Sequence, residues 1–376
     1  MLIKQYQQCT YCVMDTSDPD IYFNVEGVCN HCLDFRKNIL PTIQKNSSDK
    51  TRLDQLIKLI SGKKNTKSKY DCVIGVSGGL DSSYTAYFAK INGLNPLLVH
   101  LDNGWNTELA VQNIQTIATK LELDLETVVL DWSEFREIQL AFLRSSIVDI
   151  EIPTDLAIPA ALHQLAKKYG VKTILSGGNY SSEGILPLQW GYHVMKDMKL
   201  YNHIVQNHSK VSRKKIPGFG LWDEFYFKII RGVKIYYPLN YLNYSKNEAE
   251  KILEKELNCT FPKVKHHESR YTRFWQSYIM PVKFGFDYRR ATLSTQICSG
   301  QTTRQEALEQ LKSLPYNVET IEREKYFICK KLQISLEEFD FILQQKPLTH
   351  KDFPNSKKRI NFVYSVYRFL FPKKQQ

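Results

Sequence analysis

The 376-residue sequence has no apolar run near the roughly 18 residues that a membrane span needs. Its first residues, MLIKQYQQCTYC, lack the apolar stretch of a secretory signal. Internal repeats and low-complexity segments are also missing. There is no GxxxxGK(S/T) phosphate loop either. The nearest stretch, SGKKN at 61–65, lacks the upstream glycine and the hydroxyl residue after lysine. These absences predict a soluble cytoplasmic protein without a Walker-type nucleotide site. The composition is ordinary for a globular chain, 43% hydrophobic and 24% charged, and the length allows two or three domains. The net charge of +12 suits nucleic acid, acidic lipid or small anions without choosing among them. The densest basic cluster, SKVSRKK (209–215), is short, so the lysines read first as a solvated surface.

Four of the eight cysteines lie in the first 32 residues, as Cys9-x2-Cys12 and Cys29-x2-Cys32 separated by sixteen residues. Two such pairs wrap one tetrahedral Zn²⁺ as a pair of tight knuckles. A segment this short buries little core, so the metal would supply folding energy. An iron–sulfur cluster is the lesser alternative. His31 lies inside the second knuckle and reads as a neighbour, because four thiolates already complete the site. A closed four-sulfur site leaves no open position for catalysis.

From 70 to about 180, apolar β-rich runs alternate with helical segments. The strands are expected at 70–76, 96–101, 126–131 and 171–176, with helices near 81–92, 107–122, 133–147 and 156–169. This order predicts an α/β fold with a parallel sheet covered on both faces. Ligands in such folds sit at the carboxyl ends of the strands. SGGLDSS (77–83), DNGW (102–105) and GGNYSSEG (177–184) each follow a strand and should share that edge. TRLDQLIKLI (51–60) puts Leu53, Leu56, Ile57 and Ile60 on one helical face, and SGKKNTKSK (61–69) reads as a linker. Beyond about 240 the chain reads as helical, with helices at 246–257 and 303–314. Thr303 and Glu306 form a capping box at the start of the second.

The sharpest signal is SGGLDSS. Gly78 and Gly79 let the backbone approach an anion, and the start of the next helix offers amide donors and a positive dipole end. Ser77 and Ser82 add hydroxyls. Asp81 would repel bare phosphate, which points to a bridging Mg²⁺. The stretch resembles the SGGxDS signature of the PP-loop ATP pyrophosphatases, matched by Ser77, Gly78, Gly79, Asp81 and Ser82. The resemblance implies an adenine nucleotide α-hydrolase-like fold. It also implies cleavage of ATP between the α- and β-phosphates, adenylation of an amide or carbonyl oxygen, and displacement of AMP by a nitrogen or sulfur nucleophile.

Further stretches narrow this. CVMDTSDPDIYFNVEGVCNHC (12–32), EIPTD (151–155), LSGGNYSSEG (175–184) and KFGFDYRRATLSTQICSGQTTRQEAL (283–308) resemble the bacterial N-acetyl sugar amidotransferases. The resemblance implies conversion of an acetamido group into an acetamidino group on a nucleotide-linked sugar or nonulosonate precursor, in surface-polysaccharide biosynthesis. It implies ATP and Mg²⁺ as well as the structural zinc, and ammonia from a separate glutaminase. No membrane or nucleic-acid partner is favoured. The N-terminus is Met-Leu, and Cys72, Cys259, Cys298 and Cys329 have no glycine-rich nucleophile context, so the chain is not expected to make its own ammonia.

The expected catalytic residues are Ser77, Asp81, Asn179 and Glu183. The nucleotide should contact Ser77, Gly78, Gly79, Asp81, Ser82, Gly177, Gly178 and Asp102; Asp102 fits a turn cap equally well. Thr154 and Asp155 read first as a helix N-terminus, and the resemblance adds a substrate role. Lys283, Arg289 and Arg290 are candidates for an anionic sugar, against a solvated basic face. His163 reads as packing, and His266 and His267 as loop.

The expected organisation is a zinc module (1–40), a helix and linker (41–69), a PP-loop domain (70–240) and a mainly helical C-terminal region (241–376). Two rival functions remain. One is a tRNA-thiolating PP-loop enzyme, which would need cysteines in the catalytic domain. The other is a nucleic-acid-binding zinc protein with a degenerate nucleotide site.

Overall fold

The computed structural model describes residues 5–62, 68–191, 196–210, 216–262 and 267–370. Most of the linker (63–67), most of the basic cluster (211–215) and His266 lie outside the described residues.

Strands β1 (Cys72–Gly75), β2 (Pro96–Asp102), β3 (Leu125–Val129), β4 (Thr173–Leu175) and β5 (Lys234–Tyr236) form one sheet in the order β3-β2-β1-β4-β5. Every pairing is parallel, and Cys72 to Gly75 register with Pro96 to Val99. Helices separate the first four strands in sequence, as parallel neighbours require. The central strands read as unbroken apolar runs because both faces are covered: Val73 and Ile74 are fully buried but belong to different cores. Ile74 and Leu98 pack under Leu56, Ile60, Ile114 and Leu253. Val73, Leu97 and Val99 pack against Ala160, Leu165 and Phe227. β5 escaped the sequence pattern because its three residues, KIY, form a short and largely exposed edge.

The crossover helices follow local capping chemistry. Thr107 and Asp131 accept hydrogen bonds from the amides of Ala110 and Glu134, starting the helices Glu108–Lys120 and Trp132–Arg144. The helix Ile152–Lys168 begins earlier than the expected 156. Pro153 is tolerated in its first turn, where an amide proton is not needed. Thr154 and Asp155 therefore lie in that first turn.

The C-terminal region is helical and shares its core with the N-terminal cysteine module and with Phe135 and Phe142. Polar staples reinforce this contact. The Val13 amide donates to Ser294 Oγ (3.2 Å), Arg304 donates to the carbonyls of Cys12 and Cys9 (3.0 Å each), and Arg290 donates to that of Val13 (2.8 Å). The capping box is present: Glu306 N donates to Thr303 Oγ1 at 3.2 Å and Thr303 N to Glu306 Oε2 at 2.8 Å. Thr303→Ala is expected to destabilise the protein by about 1 kcal/mol, read from its denaturant midpoint, with turnover unchanged.

Candidate active site at the sheet switch point

The strand order changes direction between β1 and β4, and the loops leaving these two strands meet. A Cβ on Gly177 would stand 2.8 Å from the Asp81 carbonyl carbon and the Ser82 amide nitrogen, so backbone touches backbone there. On the other side, Gly78 has φ +79° and lies against the Ala110 backbone, where a Cβ would come within 2.3 Å of its carbonyl oxygen. Asn113 Nδ2 holds the Gly78 carbonyl at 3.0 Å. Within the loop, Ser82 Oγ accepts from the Ser77 amide (3.2 Å) and Ser77 Oγ accepts from the Gly79 amide (3.2 Å). Gly79 starts the helix Leu80–Ile91 without a side-chain cap, which leaves its first-turn amides and positive dipole end for an anion. The β2 loop joins the same edge. His100 Nδ1–H donates to the Val76 carbonyl at 3.0 Å, so Nε2 accepts from Asn106 Nδ2 at 3.1 Å.

Beside these loops lies a cavity of about 460 Å³. Ser77, Gly177, Glu183, Thr154 and Asp155 line it, as do Asp149, Glu151, Asn103, Trp190, Glu268, Gln276 and Tyr288. The walls carry five carboxylates (Asp149, Glu151, Asp155, Glu183 and Glu268), and among the described residues no lysine or arginine. Burial, with Asp155 and Glu151 nearby, pushes the Asp149 carboxyl well above its ordinary range. Burial and then the Asp155 charge push Glu151 up to about 8.

Several of the expected residues lie away from the cavity or are engaged by the protein itself. Lys283 Nζ donates to the Ile342 carbonyl, and to Ser146 Oγ and the Gln345 carbonyl at 3.1 Å each. Burial lowers its pKa to about 8, and it does not line the cavity. Arg289 grips Asp287 at 2.6 Å and the Ser313 carbonyl at 2.7 Å. Arg290 pairs with Asp15 at 3.1 Å and joins the cysteine module to the helix Arg289–Cys298. The strong, fork-shaped donors that made these residues attractive are engaged by the protein itself.

Asp102 is a turn residue, accepting from the Gly104 amide (2.8 Å) and Asn106 Nδ2 (3.2 Å). Asn179 caps the short helix Tyr180–Glu183 and donates to the Gly177 carbonyl, so it shapes the loop from behind. Gly78, Gly79, Ser82 and Gly178 build the loops without lining the cavity. Asp81 lies at the loop and accepts from Tyr244 OH. Burial, and then the Asp81 charge, raise that phenol's pKa. His163 packs against Phe219 and Phe227, as expected.

Glu268 was not foreseen. Ser77 Oγ donates to its Oε1 at 3.0 Å, and the same oxygen lies 2.7 Å from where a Cβ on Gly79 would be. An acidic side chain thus stands against the glycine-rich loop. No local pattern marks Glu268, which is 191 positions from Ser77. Glu151 and Asp149 lie in or beside the quoted EIPTD stretch, where a cluster of acids before a helix was the available signal.

The cysteine module has the geometry of a metal centre. All four thiols are buried, and their sulfurs lie within 4.8 Å of one another. The Cys9–Cys32 and Cys12–Cys29 sulfurs are 3.9 and 3.7 Å apart. A tetrahedron with Zn–S of about 2.3 Å has edges of about 3.8 Å. Backbone amides of Cys12, Cys29 and Met14 point at the sulfurs of Cys9 and Cys12 at 3.2–3.4 Å, the usual support for thiolates. Cys298 Sγ lies 3.7 Å from Cys32 Sγ as a fifth, outer thiol. His31 pairs with Asp18 at 2.6 Å, outside the donor set.

Comparison with known proteins adds one decisive observation. Residues 268–367 match the family described as LPS biosynthesis protein WbpG-like, C-terminal domain. Over these residues the chain is similar to that family. The matched region begins at Glu268 and supplies the cavity wall with Thr272, Trp275, Gln276 and Tyr288 as well. An uncharacterized protein of Methanocaldococcus jannaschii, MJ1599, is 25% identical over 198 residues, which is 51% of this chain and 63% of that protein. Two solved structures overlap much of the chain. NMN synthetase from Francisella tularensis is 18% identical with a TM-score of 0.34, covering 76% of this chain and 97% of its own. The U34-tRNA thiolase NcsA of Methanococcus maripaludis is 15% identical with a TM-score of 0.32, covering 91% and 90%. Scores this low give these two likenesses no weight here, and the fold assignment rests on the sheet order and loops themselves. No helix among the described residues is long and apolar enough to cross a membrane.

Proposed function

We propose that the chain is an ATP-dependent amidotransferase that converts the acetamido group of a nucleotide-linked sugar into an acetamidino group, for surface-polysaccharide synthesis. The observation that carries this reading is the shared cavity. Ser77 of the SGGLDSS loop lines it, and so do Glu268, Thr272, Trp275, Gln276 and Tyr288 from the region that matches an LPS biosynthesis family.

In this scheme the amide oxygen attacks the α-phosphorus of ATP, and pyrophosphate leaves with the bonding electrons. Ammonia then adds its lone pair to the activated carbon. AMP departs with the former amide oxygen, and the nitrogen gives up a proton to leave a cationic amidinium. Ser77 and the first-turn amides of Leu80–Ile91 would hold the phosphates. Glu268 would swing away from Ser77 to admit them. Asp81, at the loop but short of the cavity, fits a Mg²⁺ carried in with ATP. When bound, that ion would neutralise charge on the departing pyrophosphate. Closure of the cavity against water would protect the activated amide from reverting.

Ammonia would come from a separate glutaminase. What supports this is that all eight cysteines are buried, and burial raises the thiol pKa values of Cys72, Cys259 and Cys329. The same fact weighs against a thiolating enzyme, since no cysteine lines the cavity.

The test is incubation with ATP, Mg²⁺, ammonium and a panel of N-acetylated nucleotide sugars. AMP, pyrophosphate and a sugar in which NH has replaced O are the expected products; ADP would sink the scheme. Ser77→Ala and Asp81→Ala are expected to lower turnover by about 10²-fold or more while the circular dichroism spectrum stays unchanged.

A further inference from the structure

The acidic cavity does not suit the phosphates of the proposed substrates. Its acidic groups, wherever ionised, would repel them, and among the described lining residues no lysine or arginine offsets that charge. Something other than phosphate belongs in its deeper part.

Two acceptor atoms point to what that is. Glu151 Oε1 and Gln276 Oε1 are buried and make no hydrogen bond, and both residues line the cavity. Glu151 is 6% exposed and Gln276 5%. A buried acceptor left unpaired is destabilising by about 1–3 kcal/mol and more for a charged group, so such atoms mark the place of a missing donor. Glu151 stands at the N-cap position of Ile152–Lys168 yet does not cap that helix. The hydroxyls of Thr154 and Thr272 hydrogen-bond its side chain, and Oε1 is left over. Asp149 and Asp155 lie close enough to shift or share its charge. The required ligand is a cation that donates hydrogen bonds and accepts none.

A divalent metal does not fit. Among the described residues only the four cysteines bring three or more ligating atoms within 4.8 Å of one another. Ammonium needs fewer converging acceptors: one carboxyl oxygen and the Gln276 carboxamide oxygen suffice for a small monovalent ion made only of donors, with the other acidic groups nearby in charge range. We propose that Asp149, Glu151 and Asp155, with the Gln276 carboxamide oxygen, form the receiving site for the nitrogen nucleophile, taken up as ammonium beside the phosphate loop.

The chemistry of this site rests on the amidotransferase reading. Ammonium has no lone pair, so one N–H proton passes to a carboxylate of the cluster, giving ammonia and a carboxylic acid. In the empty cavity Glu151 holds its own proton near neutral pH; the arriving cation displaces that proton to solvent, and the high proton affinity of the resulting carboxylate then draws one proton from the bound ammonium. Ammonia then attacks the activated amide carbon. The amidinium product forms against the same carboxylates, which stabilise its charge. Trp190 Nε1, a buried donor without a partner on the same cavity, suits a substrate oxygen.

The test has two arms. In the first, thermal unfolding is followed in ammonium chloride and in tetramethylammonium chloride at equal ionic strength. Wild type is expected to be stabilised by ammonium only, and Glu151→Gln and Asp155→Asn to lose that increment. Equal stabilisation by the two salts, or a full increment in both variants, overturns the site.

In the second arm, ammonium-dependent AMP release is measured with the sugar that turns over. Glu151→Gln is expected to raise the KM for ammonium at least about tenfold while the KM for ATP stays unchanged. An unchanged ammonium KM overturns the site and leaves the amidotransferase reading standing. Ammonium-specific stabilisation without turnover of any acetamido sugar supports the site and counts against that reading. Asp149→Asn serves as a second variant, judged on the same ammonium KM, should Glu151→Gln fail to fold.

Discussion

Cys12→Ser is expected to lower the melting temperature by about 10 °C or more, to lose one equivalent of zinc, and to abolish turnover. The module is too short to hold itself together, and its four sulfurs stand at the spacing of a metal tetrahedron. Without a dication, thiol–thiol hydrogen bonds push the Cys9 pKa down and the Cys29 and Cys32 pKa values up, so protons stay in a crowded sulfur cluster. A bound dication would let all four ionise.

The damage should spread, because Arg304 and Arg290 hold the carbonyls of Cys9, Cys12 and Val13, and Val13 is held to Ser294. Ser294 and Arg290 lie on the helix Arg289–Cys298, directly after the cavity residue Tyr288. Loss of metal therefore reaches the cavity wall without any ligand exchange at the active site. Cys298→Ala is the control. If Cys298 is an outer thiol donating to Cys32, that variant keeps its full zinc content. Equal metal loss in Cys298→Ala and Cys12→Ser would show that the assigned set of four ligands is wrong. Iron in the purified protein would replace zinc by a cluster.

Glu151→Gln is expected to stabilise the protein at alkaline pH while impairing its use of ammonium. The sign follows from the carboxyl's folded pKa of about 8 against an ordinary 4.5. Below the ordinary value both folded and unfolded states keep the proton, and the residue is neutral in each. As pH rises between the two values, the unfolded chain releases a proton that the folded chain retains, so wild-type stability falls. Above about 8 the loss is complete, with an upper bound on the order of 5 kcal/mol. Glutamine has no proton to lose and is free of this slope.

Urea unfolding at pH 5 and pH 8.5 reads the effect: the advantage of the variant should be small at the first and several-fold larger at the second. An advantage independent of pH would remove the basis for a proton-holding Glu151. A residue that weakens the fold at working pH and serves the reaction is the usual form of the trade between stability and function.

Much of the site was legible in local sequence. SGGLDSS announces its strand–turn–helix context by itself, since an apolar run, two glycines and a helix start are all contiguous. The cysteine spacing is equally local, because each knuckle closes within four residues. Thr303 and Glu306 cap their helix for the same reason. The placement of the cationic candidates was not legible, because charge alone does not say which acceptor a side chain reaches. Lys283, Arg289 and Arg290 meet backbone carbonyls or carboxylates of the fold, some from distant parts of the chain. Glu268 and Tyr244 went unnoticed because their partners, Ser77 and Asp81, are far away in sequence.

The sequence by itself determined the parallel α/β class, the glycine-rich turn between β1 and the next helix and the paired cysteine knuckles, since each depends on near neighbours in the chain. Only the tertiary structure decided the charge of the cavity. Its acidic groups come from the segment after β4 (Glu183), from the start of Ile152–Lys168 and from the C-terminal region (Glu268), and no local pattern shows that they converge. Burial then shifts what convergence has assembled. An exposed Glu151 would be an ordinary carboxylate, and Asp155 and the walls of the cavity make it a carboxyl that holds its proton near neutral pH.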